Sequence, residues 1–195
     1  MPNIAPQQKG DGEEVKTPMP KALYFLAFYM FLAQAASLVT VTNMAIFVNS
    51  EKLGDPSLLG ITMALLTFAG FIAGFILSYV KKIFKNATPM VACILMAGGF
   101  ILLSTAHNMP VAMISNSLIG LGYGFMIPSI FIAIAQKVPG AIRQKAISIA
   151  SAAMYFGCFA TAYIQQWIGI ISGNPSQRFM FLMFGVGAAI AAAGC

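Results

Sequence analysis

The side chains in this chain best able to recognise a solute are uncharged: Gln34, Ser37, Asn116, Tyr123 and Tyr155. Each carries a hydrogen-bonding atom, and each lies within a long apolar run that has no Asp, Glu, Lys or Arg. Gln34, Asn116 and Tyr155 are bulky, and leaving such a polar group unpaired away from water is costly. Smaller hydroxyls often serve only to bond a neighbouring helix or their own turn. Recognition by hydrogen bonds is therefore the chemistry on offer. Catalysis has no equivalent support. The one histidine, His107, lies next to Asn108-Met109-Pro110, and no Gly-x-Ser-Gly nucleophile faces it. No cluster of His, Cys or carboxylate residues is spaced to bind a metal. Gly120-Leu-Gly-Tyr-Gly follows no strand and has no acidic partner ~20 residues on, so it is not a dinucleotide site. We expect no catalytic residue, no metal and no cofactor.

The elements that must hold these residues are six apolar runs, roughly 22–48, 57–80, 89–107, 110–136, 146–171 and 178–195. The chain is 59% hydrophobic and 8% charged, whereas a soluble domain carries about 25% charge. Crossing a hydrocarbon core of ~30 Å takes about 20 helical residues. Inside lipid a helix pairs its own backbone, and the alternation of a β-barrel strand is missing. The fold class is thus all-α membrane, with six transmembrane helices over 22–195 and a polar tail or linker over 1–21. Turn formers separate the runs: Gly54-Asp55-Pro56, Asn108-Met109-Pro110, Pro139-Gly140 and Gly173-Asn174-Pro175. Gly70-x-x-x-Gly74 and Gly120-x-x-x-Gly124 would let helices approach closely, and Pro128 would kink the fourth span.

The net charge of +6 follows loops rather than a nucleic-acid patch. The tail, second loop and fourth loop hold nine basic residues (Lys9, Lys16, Lys21, Lys81, Lys82, Lys85, Lys137, Arg143 and Lys145). The other side holds two, Lys52 and Arg178. Positive loops stay inside, so we expect both termini to be cytoplasmic in a multi-pass protein of the cell membrane, and no nucleic-acid partner. The sequon at Asn86 would then face the cytoplasm, where it is not glycosylated. Cys93, Cys158 and Cys195 form no disulfide framework and read as small hydrophobes. Polar residues concentrate in spans 1, 4 and 5, with Thr62 and Thr67 in span 2, while spans 3 and 6 are nearly bare. Spans 1, 4 and 5, joined by 2, would line a cavity, and 3 and 6 would support them from the lipid side.

Several stretches resemble the major facilitator superfamily, and the likeness extends over essentially the whole chain as the C-terminal half of such a transporter. The charged Met1–Lys21 looks like its central cytoplasmic linker. Thr42-Asn-Met-Ala-Ile-Phe-Val48 with Leu59-Gly60 is similar to the end of its seventh helix and the start of its eighth. Gly74-Phe-Ile-Leu-Ser-Tyr-Val-Lys-Lys-Ile-Phe-Lys85 resembles its Gly-rich basic loop motif, with Ser78 and Tyr79 where charged residues are usual. Gly120-Leu-Gly-Tyr-Gly-Phe-Met-Ile-Pro128 is similar to its tenth helix and Ser151-Ala-Ala-Met-Tyr-Phe-Gly157 to its eleventh. Some bacterial drug-exporter-like members have a proline shortly after this point; Gly157-Cys-Phe-Ala-Thr-Ala162 has none.

This resemblance implies a 3+3 inverted repeat, in which spans 1–3 and 4–6 are related by a pseudo-two-fold axis. It also implies transport of a small organic solute by alternating access against a second six-helix half. The expected partners are the bilayer, a small-molecule substrate and that half. A scaffold subunit or an inactive fragment is the contrasting reading. With no carboxylate in any span, proton coupling is not expected here.

Overall fold

In the computed structural model, residues 20–84, 87–174 and 176–194 are described. The tail before Pro20, together with Lys85, Asn86, Pro175 and Cys195, lies outside them. Six α-helices follow one another: α1 Lys21–Ser50, α2 Leu59–Phe84, α3 Thr88–Ser104, α4 Met109–Lys137, α5 Gly140–Ser172 and α6 Gln177–Ala193. A single 3₁₀ turn, Pro56–Leu58, leads into α2. There is no strand among the described residues.

The turn formers act as their chemistry requires. Asn108 accepts the Val111 N–H at 3.1 Å and Pro110 fills a first-turn position of α4, where no N–H is needed. Asp55 accepts the Ser57 N–H at 2.9 Å ahead of Pro56, and that bond holds its carboxyl below the ordinary range. Gly173 ends α5 with φ of 64°, a left-handed conformation open to glycine. Lys81, Lys82 and Lys137 occupy the last turns of α2 and α4, where cations offset the negative helix ends.

Three helix ends differ from the sequence reading by three residues or more. α2 runs on to Phe84 rather than 80, so that Lys81 and Lys82 belong to the helix. α5 starts at Gly140 rather than 146, so Arg143 and Lys145 extend the helix instead of forming a loop. The cause is packing: Ile142 and Ala146 are buried in the core beside Ile134 and Val138, which continues the helix past the apolar run. α3 stops at Ser104 rather than 107 because Thr105–Asn108 turn the chain toward α4. At 17 residues α3 and α6 sit at the short limit for a span. The other four helices are long and apolar enough to cross a membrane, and the protein is a multi-pass membrane protein.

Packing gives a ring of four helices with two at its flanks. α1 touches α4 and α6, α4 packs on α3, and α3 packs on α6, which closes a ring of four. α2 attaches to α4 and α5 to α1 at the flanks. Glycines set how close these helices come. A Cβ at Gly120 would run into the Leu66 carbonyl of α2, and one at Gly124 would stand 2.7 Å from the Gly70 Cα. On the other side of α4, a Cβ at Gly122 would meet the Ala92 carbonyl of α3 at 2.7 Å. Gly74, paired with Gly70 in the sequence reading, has open space before it instead, because α4 crosses α2 at Leu66 and Gly70.

One end of the bundle is clasped by charge. Arg178 at the start of α6 pairs with Glu51 at the end of α1 at 2.9 Å. It donates to the Ser104 carbonyl at the end of α3 at 3.0 Å, and its guanidinium lies 5.4 Å from the centre of the Phe47 ring. α1 and α3 therefore end on the face where α6 begins, as alternating spans require.

Candidate functional site

Near the middle of their lengths α1 and α4 share a side-chain hydrogen bond. Tyr123 lies fourteen residues from each end of α4, or ~21 Å at ~1.5 Å per residue. Gln34 is thirteen residues from one end of α1 and sixteen from the other. The Tyr123 hydroxyl donates to Gln34 Oε1 at 2.6 Å. Both side chains are half-buried. Gln34 Nε2 has no partner among the described residues and is not enclosed. This bond fixes the amide: its oxygen is occupied and its N–H donors are free.

Tyr123 also lines a groove of about 540 Å³ between α2 and α4. Its other walls are Leu66, Thr67, Gly70, Phe71, Gly74, Phe75, Gly124, Ile127 and Pro128. The volume is in the range of small-molecule sites. The glycines open it, since Gly74 projects nothing into the space. Pro128 has no N–H, so the Gly124 carbonyl in the same wall lacks its helical donor. Thr67 is committed to its own turn, donating to the Met63 carbonyl at 3.2 Å. No Asp, Glu, Lys, Arg or His side chain enters the lining.

The other expected site residues lie apart from this pair. Asn116 is fully buried and donates from Nδ2 to the Thr62 carbonyl of α2 at 3.3 Å. Its Oδ1 is buried without a partner. Ser37 is buried within α1 and bonds to none of the others. Tyr155 stands near the middle of α5 with 67% of its surface exposed. Gln34, Asn116 and Tyr123 thus tie α1, α2 and α4, while Tyr155 is presented outward.

A second polar group was not singled out from sequence. Asn43 Nδ2 donates to Gln165 Oε1 at 2.7 Å, joining α1 to α5. It also donates to the Val39 carbonyl at 3.0 Å and contacts Thr42 Oγ1 at 3.2 Å. Both residues belong to the polar set of spans 1 and 5, which was the available signal. Below them α1 and α5 press together at Gly157, where a Cβ would stand 2.6 Å from the Phe31 carbonyl. Cys158, next along α5, is half-buried.

A further cavity of about 180 Å³ lies among α1, α3, α4, α5 and α6, lined by Leu32, Ala33, Met96, Met126 and Phe184 among others. Tyr29 is its one hydroxyl, and that hydroxyl already donates to the Ala191 carbonyl at 3.0 Å. It can bind by shape but not by hydrogen bonds. No group of three or more potential metal ligands occurs among the described residues.

Uncharged polar side chains thus meet near the middle of helices in this six-helix bundle. No curated protein and no solved structure matches the chain. The family model for the Major Facilitator Superfamily matches residues 23–195, nearly the whole of the bundle, and the chain belongs to that family of membrane transporters.

Proposed function

We propose that this chain is the C-terminal six-helix half of a secondary transporter that moves a small, neutral organic solute by alternating access. The observation that carries the reading is the Tyr123–Gln34 bond, an uncharged recognition pair at mid-depth of two adjoining helices. Substrate sites of such transporters lie near the bilayer midplane at the repeat interface. Ser37 and Asn116, buried between helices, and Tyr155, exposed on α5, are the other candidate residues.

The 3+3 inverted repeat is supported by the packing. Exchanging α1, α2 and α3 with α4, α5 and α6 turns the α1–α5 contact into α4–α2 and the α3–α4 contact into α6–α1, and all four exist. A second half, or a watery cavity, is supported by Tyr155. A phenol exposed at mid-membrane finds no hydrogen-bond partner in lipid tails. Cytoplasmic termini and residence in the cell membrane rest on the loop charges. Pro128, inside α4 beside the groove, suits a hinge that opens and closes access.

The test is uptake by the complete transporter. Gln34→Ala and Asn116→Ala are each expected to lower solute uptake at least tenfold while the protein still reaches the membrane. Unchanged affinity and rate in both would refute the cavity assignment.

A further inference from the structure

The cavity of about 180 Å³ among α1, α3, α4, α5 and α6 is space that packing leaves unfilled. Its lining grades from inside to outside. Ala33, Ala36, Cys93, Met96 and Met126 form a buried floor. Ile164, Ile168 and Ala188 are half-buried walls, and Gly187 is exposed. The cavity therefore opens on the side of Gly187, along the seam where α5 and α6 barely touch. Gly187 keeps this mouth clear, since a Cβ there would meet nothing within 4 Å. The exposed side chains around it on α6 are Leu182, Val186 and Ile190. In a membrane protein such a surface is bathed by lipid tails, which are as apolar as leucine.

Shape and chemistry together select what enters. Along α6 the lining runs from Met183 to Ala191, eight residues or ~12 Å at ~1.5 Å each. Along α1 it runs from Tyr29 to Ala36, eight residues from one end of that helix and fourteen from the other. A volume of about 180 Å³ drawn out over this length is narrow, and it lies along the helices near mid-depth. The one hydroxyl in the lining, on Tyr29, already donates to the Ala191 carbonyl. Water needs two to four polar partners, and an apolar cavity of ~150 Å³ in a soluble protein stays dry and takes benzene or xenon. An alkyl chain here restores the dispersion contacts that a void forfeits. Lipid head groups stay at the interface of a hydrocarbon core ~30 Å thick, so the part of a lipid that reaches mid-depth is the end of its chain.

We propose that this cavity binds the terminal part of a bilayer phospholipid's acyl chain, which enters between α5 and α6 and packs on Met96 and Met126. The site lies apart from the Tyr123–Gln34 bond and stands whether or not that bond recognises a solute.

The test is photolabelling in nanodiscs of phosphatidylcholine that carries a diazirine near the end of one acyl chain. On irradiation the diazirine loses N₂ and the carbene inserts into the nearest bond, and adducts are mapped by peptide mass spectrometry. Met96 and Met126 are each 2% exposed, whereas Ile190 is 68% exposed and meets any surrounding lipid. The chain-end probe is expected to label Met96 or Met126 as well as Ile190. A probe with the diazirine beside the glycerol should leave both methionines unlabelled. Gly187→Phe and Ala188→Leu, made separately, place bulk in the mouth. Each is expected to lower labelling of the methionines about fivefold or more, the effect of forcing extra groups into occupied space, with Ile190 unchanged. Helical circular dichroism and an unchanged elution volume establish that each variant is folded. Methionines unlabelled by the chain-end probe, equal labelling of them by both probes, or labelling that survives both substitutions would each overturn the assignment. Should neither variant fold, the comparison of the two probes on the unaltered chain decides.

Discussion

Tyr123 and Gln34 form a bond between half-buried side chains on neighbouring helices, and its net worth is about 1 kcal/mol. Tyr123→Phe is therefore expected to lower stability by roughly that amount, read as a lower unfolding midpoint in detergent. Asn116 differs, because its carbonyl oxygen is buried and unpaired while its amide holds the Thr62 carbonyl. Asn116→Leu removes an orphaned acceptor but also leaves Thr62 without that donor, so the two effects offset within about 1 kcal/mol. A loss of uptake in that variant without a comparable loss of stability would mark a functional role. Gln34, Asn116 and Tyr155 draw attention in the sequence because bulky polar side chains stand out in apolar runs. The Asn43–Gln165 pair was not, since its members are 122 residues apart. Nothing in one sequence reveals which faces of spans 1 and 5 meet.

Helix approach is the next scale up, and glycine governs it. At Gly120 a Cβ meets backbone of α2 that cannot rotate away, so α2 and α4 must separate. Gly120→Ala should cost about 1–3 kcal/mol, as overpacking does, and Gly120→Val should abolish monodisperse elution in size-exclusion chromatography. Gly74→Ala faces open space and should change the unfolding midpoint little, within about 0.5 kcal/mol. The sequence motif alone ranks these two glycines equally, and the crossing point that separates them depends on tertiary packing. Helix ends show the same division. Local capping chemistry made the starts at Asn108 and Asp55 readable, whereas the early start of α5 depends on Ile142 and Ala146 packing at a distance. The clasp at Arg178 belongs to this scale too. Its side chain and that of Glu51 are 23% and 32% exposed, so Arg178→Ala should cost about 1–2 kcal/mol through the pair and the freed Ser104 carbonyl. The midpoint measured in high salt should fall less than at low salt if the ion pair carries the effect.

For the whole molecule, membrane character and the number of helices were legible, because hydropathy reports directly on the solvent around each segment. What the sequence left open was depth and facing: that Gln34 meets Tyr123 at the centre, and that Tyr155 looks outward. We expect cysteines placed at Lys137 and Lys52 to be labelled from opposite sides of the membrane, with Lys137 on the cytoplasmic face. The central proposal, that α1 and α5 face a watery solute path at mid-membrane, is tested most directly by substituted-cysteine labelling. In the complete transporter with Cys93, Cys158 and Cys195 replaced by alanine, Gln34→Cys and Tyr155→Cys are compared with Ile94→Cys, which is 53% exposed on the supporting helix α3. We expect a water-soluble maleimide that does not cross lipid to modify the cysteines at 34 and 155 and to leave that at 94 unmodified. Equal labelling at all three positions, or at none, would contradict a solute path there.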